Sequence, residues 1–216
     1  MSSMPQVILP VLNEARALPW ILERMPAGFD PIIVDNGSTD NSAAVALKLG
    51  AMVVRQPVPG FGAACYAGLR QATHDVVCFM DADASLDPTE LPAVVSPLVS
   101  GAPGLVLGRR VPDKGAWPRH ARVANRALVG AVHRRTGVTL RDIGPMRAAP
   151  REALIALGVE DRRCGWPLEM VMRAIHAGWS IREVPVRYRA RVGRSKITST
   201  VRGTALAVQD MARVLR

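Results

Sequence analysis

Val76-Val77-Cys78-Phe79-Met80-Asp81-Ala82-Asp83 sets two carboxylates directly after an unbroken apolar run. An apolar run without alternation fits a strand covered on both faces. Along extended chain, alternate side chains share a side, so Asp81 and Asp83 point the same way. Two carboxylates at the end of a buried strand repel each other unless a cation lies between them. Hard oxygen ligands of this kind suit Mg2+ or Mn2+, which in turn carry phosphate groups. An isolated D-x-D is more often a pair of exposed loop acids, so its surroundings decide.

Upstream, strands and helices alternate. Residues 6–12, 31–34 and 51–54 read as buried strands, and residues 75–80 as a fourth. Helices are expected over 18–25, with Pro19 near the start, over 40–49, closed by Gly50, and over 61–72. Downstream, 88–98 resembles a helix and 104–108 a fifth strand. Strand–helix–strand spacing of this sort implies right-handed crossovers and a mostly parallel sheet. The second half reads as helices over 119–135, 150–157 and 167–177, a strand over 179–188 and a closing helix over 198–215. Leu168, Val171, Met172 and Ile175 mark the apolar face of the third of these helices. Residues 109–120, basic and broken by Pro112, Gly115 and Pro118, read as a mobile loop. The expected fold class is therefore α/β, with a mostly parallel, mixed sheet flanked by helices.

The chain has 216 residues, enough for one domain with a full core. The start, Met1-Ser2-Ser3-Met4-Pro5, has no basic region and is soon followed by Glu14, unlike a secretory signal. The uncharged run over 91–108 is interrupted by Pro92, Pro97, Gly101, Pro103 and Gly104, which argues against a membrane span. Cys65, Cys78 and Cys164 form no C-x-x-C pair, and the four histidines lack zinc-site spacing. These features favour a reducing, cytoplasmic setting. Nucleic-acid binding is disfavoured, since only nine aromatic residues occur and no reading-head motif appears.

The net charge of +10 is unevenly distributed. Residues 1–108 carry five basic and ten acidic side chains, whereas residues 109–216 carry twenty-three and eight. One division fits both numbers: 1–108 as the half that binds metal and nucleotide, and 109–216 as a basic acceptor-side half. The basic half would meet a diphosphate, a phosphorylated acceptor or an anionic membrane surface. Arginine-rich composition alone is the competing explanation, because 25 of the 28 basic residues are Arg.

In an open parallel sheet, ligands bind at the carboxyl ends of the strands. Three such ends are polar here: Pro10-Val11-Leu12-Asn13-Glu14, Asp35-Asn36-Gly37-Ser38-Thr39-Asp40, and the D-x-D. Asp35 suits a hydrogen bond from a base or ribose, or else a helix cap, a role that Ser38 and Asp40 fill better. Pro59-Gly60-Phe61-Gly62 sets small residues at a helix start, where a backbone can approach a ligand closely.

Together these segments resemble the family-two glycosyltransferases with the GT-A fold, and among them the dolichyl- and polyprenyl-phosphate sugar synthases. The likeness runs through VILPVLNEA (7–15), IIVDNGSTD (32–40), GFGAACYAGL (60–69) and VVCFMDADASLDP (76–88). It continues through VLGRR (106–110), RDIGPMRAAPREAL (141–154), GWPLEM (165–170) and IREVPVRYRARVGRSK (181–196). The resemblance implies that Pro10, Leu12, Glu14 and Asp35 bind the nucleoside of a nucleotide diphosphate sugar, with Gly62 nearby. It implies that Asp81 and Asp83 hold Mg2+ or Mn2+, Asp83 foremost. Arg110 matches a basic residue near the donor phosphates or acceptor. Arg191, Ser195 and Lys196 match a segment that closes over the diphosphate, and Asp142 and Glu169 match acids near the reacting sugar. One departure stands out: the usual second aspartate after strand two is Asn36.

The residues also offer plainer roles. Glu169 sits in a first helical turn, where it can pair with Arg173. Asp142 can pair with a neighbouring arginine, and Arg191, Arg194 and Lys196 can form a solvated loop. The expected activity is metal-dependent, inverting sugar transfer. A hydroxyl acceptor needs a carboxylate base, Asp142 or Glu169. A polyprenyl phosphate arrives ionised and needs cations instead, so the basic half favours it, reached by peripheral contact with an anionic membrane. Rivals are a soluble transferase with a small hydroxyl acceptor and a nucleotide-sugar-binding protein without turnover. A nucleotidyltransferase is disfavoured, because residues 10–14 lack its glycine-rich loop.

Overall fold

In the computed structural model, residues 5–98, 102–193 and 201–215 are described. β1 (Gln6–Val11), β2 (Asp30–Asp35), β3 (Met52–Arg55) and β4 (Val76–Phe79) are parallel, with β1 at the centre between β2 and β4. The crossovers between them are α1 (Leu18–Glu23), α2 (Ser42–Lys48) and α3 (Phe61–Gln71). Beyond β4 the sheet continues through β6 (Arg147–Pro150), β5 (Gly104–Pro112) and β7 (Ser180–Tyr188), in the order β3-β2-β1-β4-β6-β5-β7. β6 runs antiparallel to both β4 and β5, and β5 pairs in parallel with β7.

Successive apolar residues of the strands point to opposite faces, and both faces of the sheet are covered. Ile8, Ile32, Val34, Val77 and Phe79 pack with Leu69 of α3 and with α7 (Trp166–His176). Val7, Leu9, Ile33 and Cys78 face the other way, onto α1 and α4 (Leu91–Val95). Gly68 sets the depth of α3: a Cβ there would lie 2.4 Å from Ile8 Cγ2, so the helix rests directly on β1.

The structure corrects the sequence reading in three places. β6 was not expected, because its four residues, the last of them Pro150, carry no alternation long enough to register. The helix expected over 88–98 is a short 3-10 turn, Pro88–Glu90, followed by α4, which ends before Pro97. The loop expected over 109–120 is shorter, since Arg109, Arg110, Val111 and Pro112 belong to β5 and pair with Pro185 through Tyr188. The remaining helices are α5 (Arg119–Thr136), α6 (Arg151–Ala156) and α8 (Val201–Val214). α5 ends at Gly137 in the left-handed conformation.

Candidate active site at the carboxyl edge of the sheet

The turns after β1 and β2 are held together by side-chain bonds. Asn13 adopts a left-handed backbone, φ 57°, which asparagine tolerates better than most residues. Its Oδ1 accepts the N–H groups of Thr39 (2.7 Å) and Asp40 (3.2 Å), and its own N–H donates to Ser38 Oγ (3.0 Å). The Glu14 N–H donates to Ser42 Oγ at 2.8 Å, and the Ala15 N–H to Asp40 Oδ2 at 3.1 Å. Asp40 also accepts the Ser42 N–H, so it organises the start of α2. Asp35 is left at the rim, half-buried. Its Oδ1 accepts the Ser38 N–H at 3.0 Å, while Oδ2 accepts no hydrogen bond among the described residues. Pro10, Leu12 and Glu14 are half-buried beside it.

Asn36 has a role that an aspartate cannot fill. Its Nδ2 donates to the carbonyls of Gln56 (2.9 Å) and Val58 (2.7 Å), and its Oδ1 accepts the Gly60 N–H (2.8 Å). The carboxamide ties the end of β2 to the loop that leads into α3. A carboxylate would face two carbonyl oxygens with no proton to offer.

The close approach at Gly60 and Gly62 is made by the chain itself. A Cβ on Gly62 would lie 2.5 Å from the Asp161 carbonyl oxygen, and one on Gly60 would lie 2.2 Å from that of Arg162. The N–H groups of Gly62 and Ala63 donate to the carbonyls of Arg163 and Arg162, at 3.0 and 2.8 Å. These glycines therefore seat the 161–163 segment on the start of α3, a close approach made by the chain's own backbone.

After β4 the chain places Asp81 half-buried and Asp83 buried. Asp83 Oδ1 accepts the Ser85 N–H at 3.0 Å, and Ala84 between them is left-handed at φ 60°, a conformation that costs an alanine about 1–2 kcal/mol. Burial and the neighbouring Asp83 push the Asp81 carboxyl up to about 6, against the pull of Arg191, Arg110 and Arg147. A divalent ion would relieve that repulsion. Among the described residues no group of three acidic, histidine or cysteine ligands could hold one. The donor set therefore fits Mg2+ or Mn2+ completed by substrate phosphates and water, the usual arrangement for Mg2+ with phosphorylated substrates.

The three arginines are placed differently. Arg147 is 2% exposed, and burial brings its guanidinium down to about 10. Its Nη1 donates to the Pro167 carbonyl at 2.9 Å and its Nη2 to that of Gly144. Arg110 forms a two-pronged pair with Asp142, Nε to Oδ2 at 2.9 Å and Nη2 to Oδ1 at 2.6 Å. Its guanidinium lies 4.0 Å from the centre of the Trp117 ring. Arg191 Nη1 lies 3.1 Å from Asp83 Oδ2. Arg110 and Arg147 also line a cavity of about 70 Å³ with Phe61, Phe79 and Trp166, whose buried indole N–H has no partner among the described residues.

Neither acid expected to serve as a base has a carboxylate to spare. Asp142, 1% exposed, accepts the Arg110 backbone N–H (2.8 Å) as well as the guanidinium. Glu169 accepts the N–H groups of Glu160 (3.0 Å) and Asp161 (2.6 Å) and the Nε of Arg173 (2.6 Å). Asp142 aims Arg110, and Glu169 holds the 160–161 backbone and Arg173. These are the plainer pairings that the sequence also offered for the two acids. Ser195 and Lys196 lie outside the described residues. Arg147 was missed although it falls inside a quoted motif. A single arginine between Met146 and Ala148 was the available signal, since a charge in an apolar strand requires a partner or a purpose.

The carboxylate pair and the arginines gather at the carboxyl edge of the parallel strands, where open α/β sheets bind their ligands. The family model described as glycosyl transferase family 2 matches residues 6–158, and the chain belongs to that family as a glycosyltransferase. It is 46% identical over 211 residues to an uncharacterized glycosyltransferase of Mycobacterium tuberculosis, covering 97% of this chain and 96% of that protein. It is 30% identical over 206 residues to a dolichyl-phosphate hexose transferase of Haloferax volcanii, covering 93% and 89%. The fold is similar to glucosyl-3-phosphoglycerate synthase from Mycobacterium tuberculosis, solved with Mn2+ and UDP-glucose. That superposition has a TM-score of 0.78 at 25% identity, covering 98% of this chain and 77% of that one. The expected α/β fold and family are both borne out.

Proposed function

We propose that this glycosyltransferase moves a sugar from a nucleotide diphosphate sugar to a polyprenyl phosphate, by direct displacement with inversion, at a site that takes Mg2+ or Mn2+. One observation carries the choice of acceptor. The carboxylates of both candidate bases, Asp142 and Glu169, are engaged by arginines and backbone N–H groups, while Arg110, Arg147 and Arg191 set positive charge about Asp81. A phosphate nucleophile needs no deprotonation at neutral pH, and cations of this kind suit it. Similarity to a dolichyl-phosphate hexose transferase supports the same choice.

Each residue then has a stated task. Pro10, Leu12 and Glu14 form the rim that receives the nucleoside, with Asp35 Oδ2 turned to a base or ribose donor. Asp81 and Asp83 hold the divalent ion, which when bound would offset the negative charge developing on the leaving diphosphate. Arg191, with Ser195 and Lys196, closes on that diphosphate. Arg110, aimed by Asp142, orients the acceptor phosphate, and the buried Arg147 adds positive charge behind it. A peripheral approach to an anionic membrane at the cytoplasmic face would bring a lipid acceptor within reach.

A second reading has its own support. The fold is shared with a synthase whose complexes contain phosphoglyceric acid, so a small phosphorylated alcohol is the alternative acceptor. The test begins with a thermal-shift screen of nucleotide sugars with and without Mn2+. The stabilising donor is then offered a short-chain polyprenyl phosphate in detergent or phosphoglyceric acid in buffer. Transfer to the lipid phosphate alone is expected. Transfer only to the alcohol would replace this reading with the second.

A further inference from the structure

Asp83, the carboxylate expected to meet the divalent ion most directly, already holds a cation. Arg191 Nη1 is 3.1 Å from Asp83 Oδ2, and Oδ1 is taken by the Ser85 N–H. The backbone fixes this meeting. The Val192 N–H donates to the Asp83 carbonyl and the Arg189 N–H to the Ser85 carbonyl, both at 2.8 Å, and Leu86 bridges to Tyr188. The 188–192 segment is therefore clipped along the D-x-D loop, and Arg191 Nη2 reaches Tyr188 Oη at 3.4 Å. The clip is made of main-chain bonds and stands without the guanidinium. What the guanidinium adds is positive charge beside two carboxylates that repel each other.

We propose that Arg191 is the resident counter-cation of the metal site. It neutralises Asp83 until a divalent ion arrives together with a diphosphate, and then passes to that diphosphate. The inference rests on reading Asp81 and Asp83 as metal ligands. A guanidinium and a divalent ion compete for one carboxylate, so the metal alone binds weakly. A diphosphate gives the displaced guanidinium a two-pronged acceptor of higher charge. Competition thereby becomes coupling: the diphosphate raises metal affinity and the metal raises diphosphate affinity by the same factor. Arg191 is in this sense a positioning residue that makes donor and ion enter together.

The test is calorimetric titration of Mn2+ alone into the wild type, Arg191→Met, Arg191→Lys and Asp83→Asn, with folding checked by circular dichroism. Arg191→Gln serves as a second neutral variant should methionine disturb the loop. The neutral variants are expected to bind Mn2+ about fivefold tighter than the wild type, the scale of one half-exposed ion pair, and Arg191→Lys to stay near it. A merely structural role for Arg191 would leave Mn2+ affinity unchanged or weakened, and either result overturns the proposal. Asp83→Asn separates the two readings: unchanged Mn2+ binding there would remove the metal site itself, whatever Arg191 does. With inorganic pyrophosphate present, the wild type should gain Mn2+ affinity and the neutral variants should gain less. An equal gain in both would overturn the hand-over.

Discussion

Asp81 carries the most direct pH signature among the described residues. Its folded value, about 6, lies above the ordinary carboxylate value of 3.8, so the native state binds the proton more tightly than the unfolded chain does. Between those two values stability falls as pH rises, by up to about 3 kcal/mol for a shift of that size. Asp81→Asn removes the penalty. Without metal at pH 7.5 the variant should melt higher than the wild type, and the difference should vanish below pH 4. Equal melting temperatures at both pH values would show that Asp81 is not strained by its neighbours. The same variant should lose metal-dependent nucleotide binding, so stability and function oppose each other at this position. Asn36 makes a complementary case. Asn36→Asp restores the sequence that resembles the family but sets a charge against the Gln56 and Val58 carbonyls. Chemical denaturation should show a loss of about 1 kcal/mol, the net worth of part-buried hydrogen bonds. From the sequence this residue was legible only as a departure. Its purpose depends on two carbonyls twenty and more positions away, which no local pattern encodes.

At the scale of elements, periodicity revealed whatever is long and locally determined. The four parallel strands, α3, α5 and α7 were readable because apolar runs, caps and helical spacing act within about a dozen residues. β6 was not readable. Its four residues are a strand because β4 and β5 leave an antiparallel slot between them, a fact of the whole sheet. The glycines at the start of α3 were noticed, but the partner that needs them lies a hundred residues on. Glu169 of α7 holds that partner segment through the N–H groups of Glu160 and Asp161, and pairs with Arg173. Glu169→Gln keeps the side-chain shape but loses the charge that faces Arg173, which is 37% exposed. The expected cost is about 1–2 kcal/mol in a denaturant melt, with turnover well below the melting temperature largely retained. A collapse of turnover with unchanged stability would return Glu169 to the role of base.

Across the whole molecule, charge is divided as the sequence suggested, and the fold gives the division a surface. Arg119, Arg122, Arg126 and His133 form one stripe along α5, all exposed, while Asn125, Ala131 and Val132 face inward. Val123 lies 62% exposed on the same helix. No helix among the described residues is long and apolar enough to cross a membrane. Should the proposed lipid acceptor be met at a membrane surface, the α5 stripe is the expected contact. Each basic residue near an anionic bilayer contributes about 1 kcal/mol, so the three arginines of the stripe would add about 3 kcal/mol to a weak, reversible attachment. The charges are exposed, and salt should weaken them over a Debye length of about 8 Å at physiological ionic strength. Co-sedimentation with phosphatidylserine vesicles is therefore expected at low salt, fading as salt is added, and absent with neutral lipid. Replacing Arg119, Arg122 and Arg126 together by Gln should abolish that binding while leaving donor affinity unchanged, since α5 lies outside the carboxylate site. Retained vesicle binding in the triple variant would move the contact off α5. Binding by neither protein would leave the arginines of the basic half to the diphosphate and the acceptor phosphate alone.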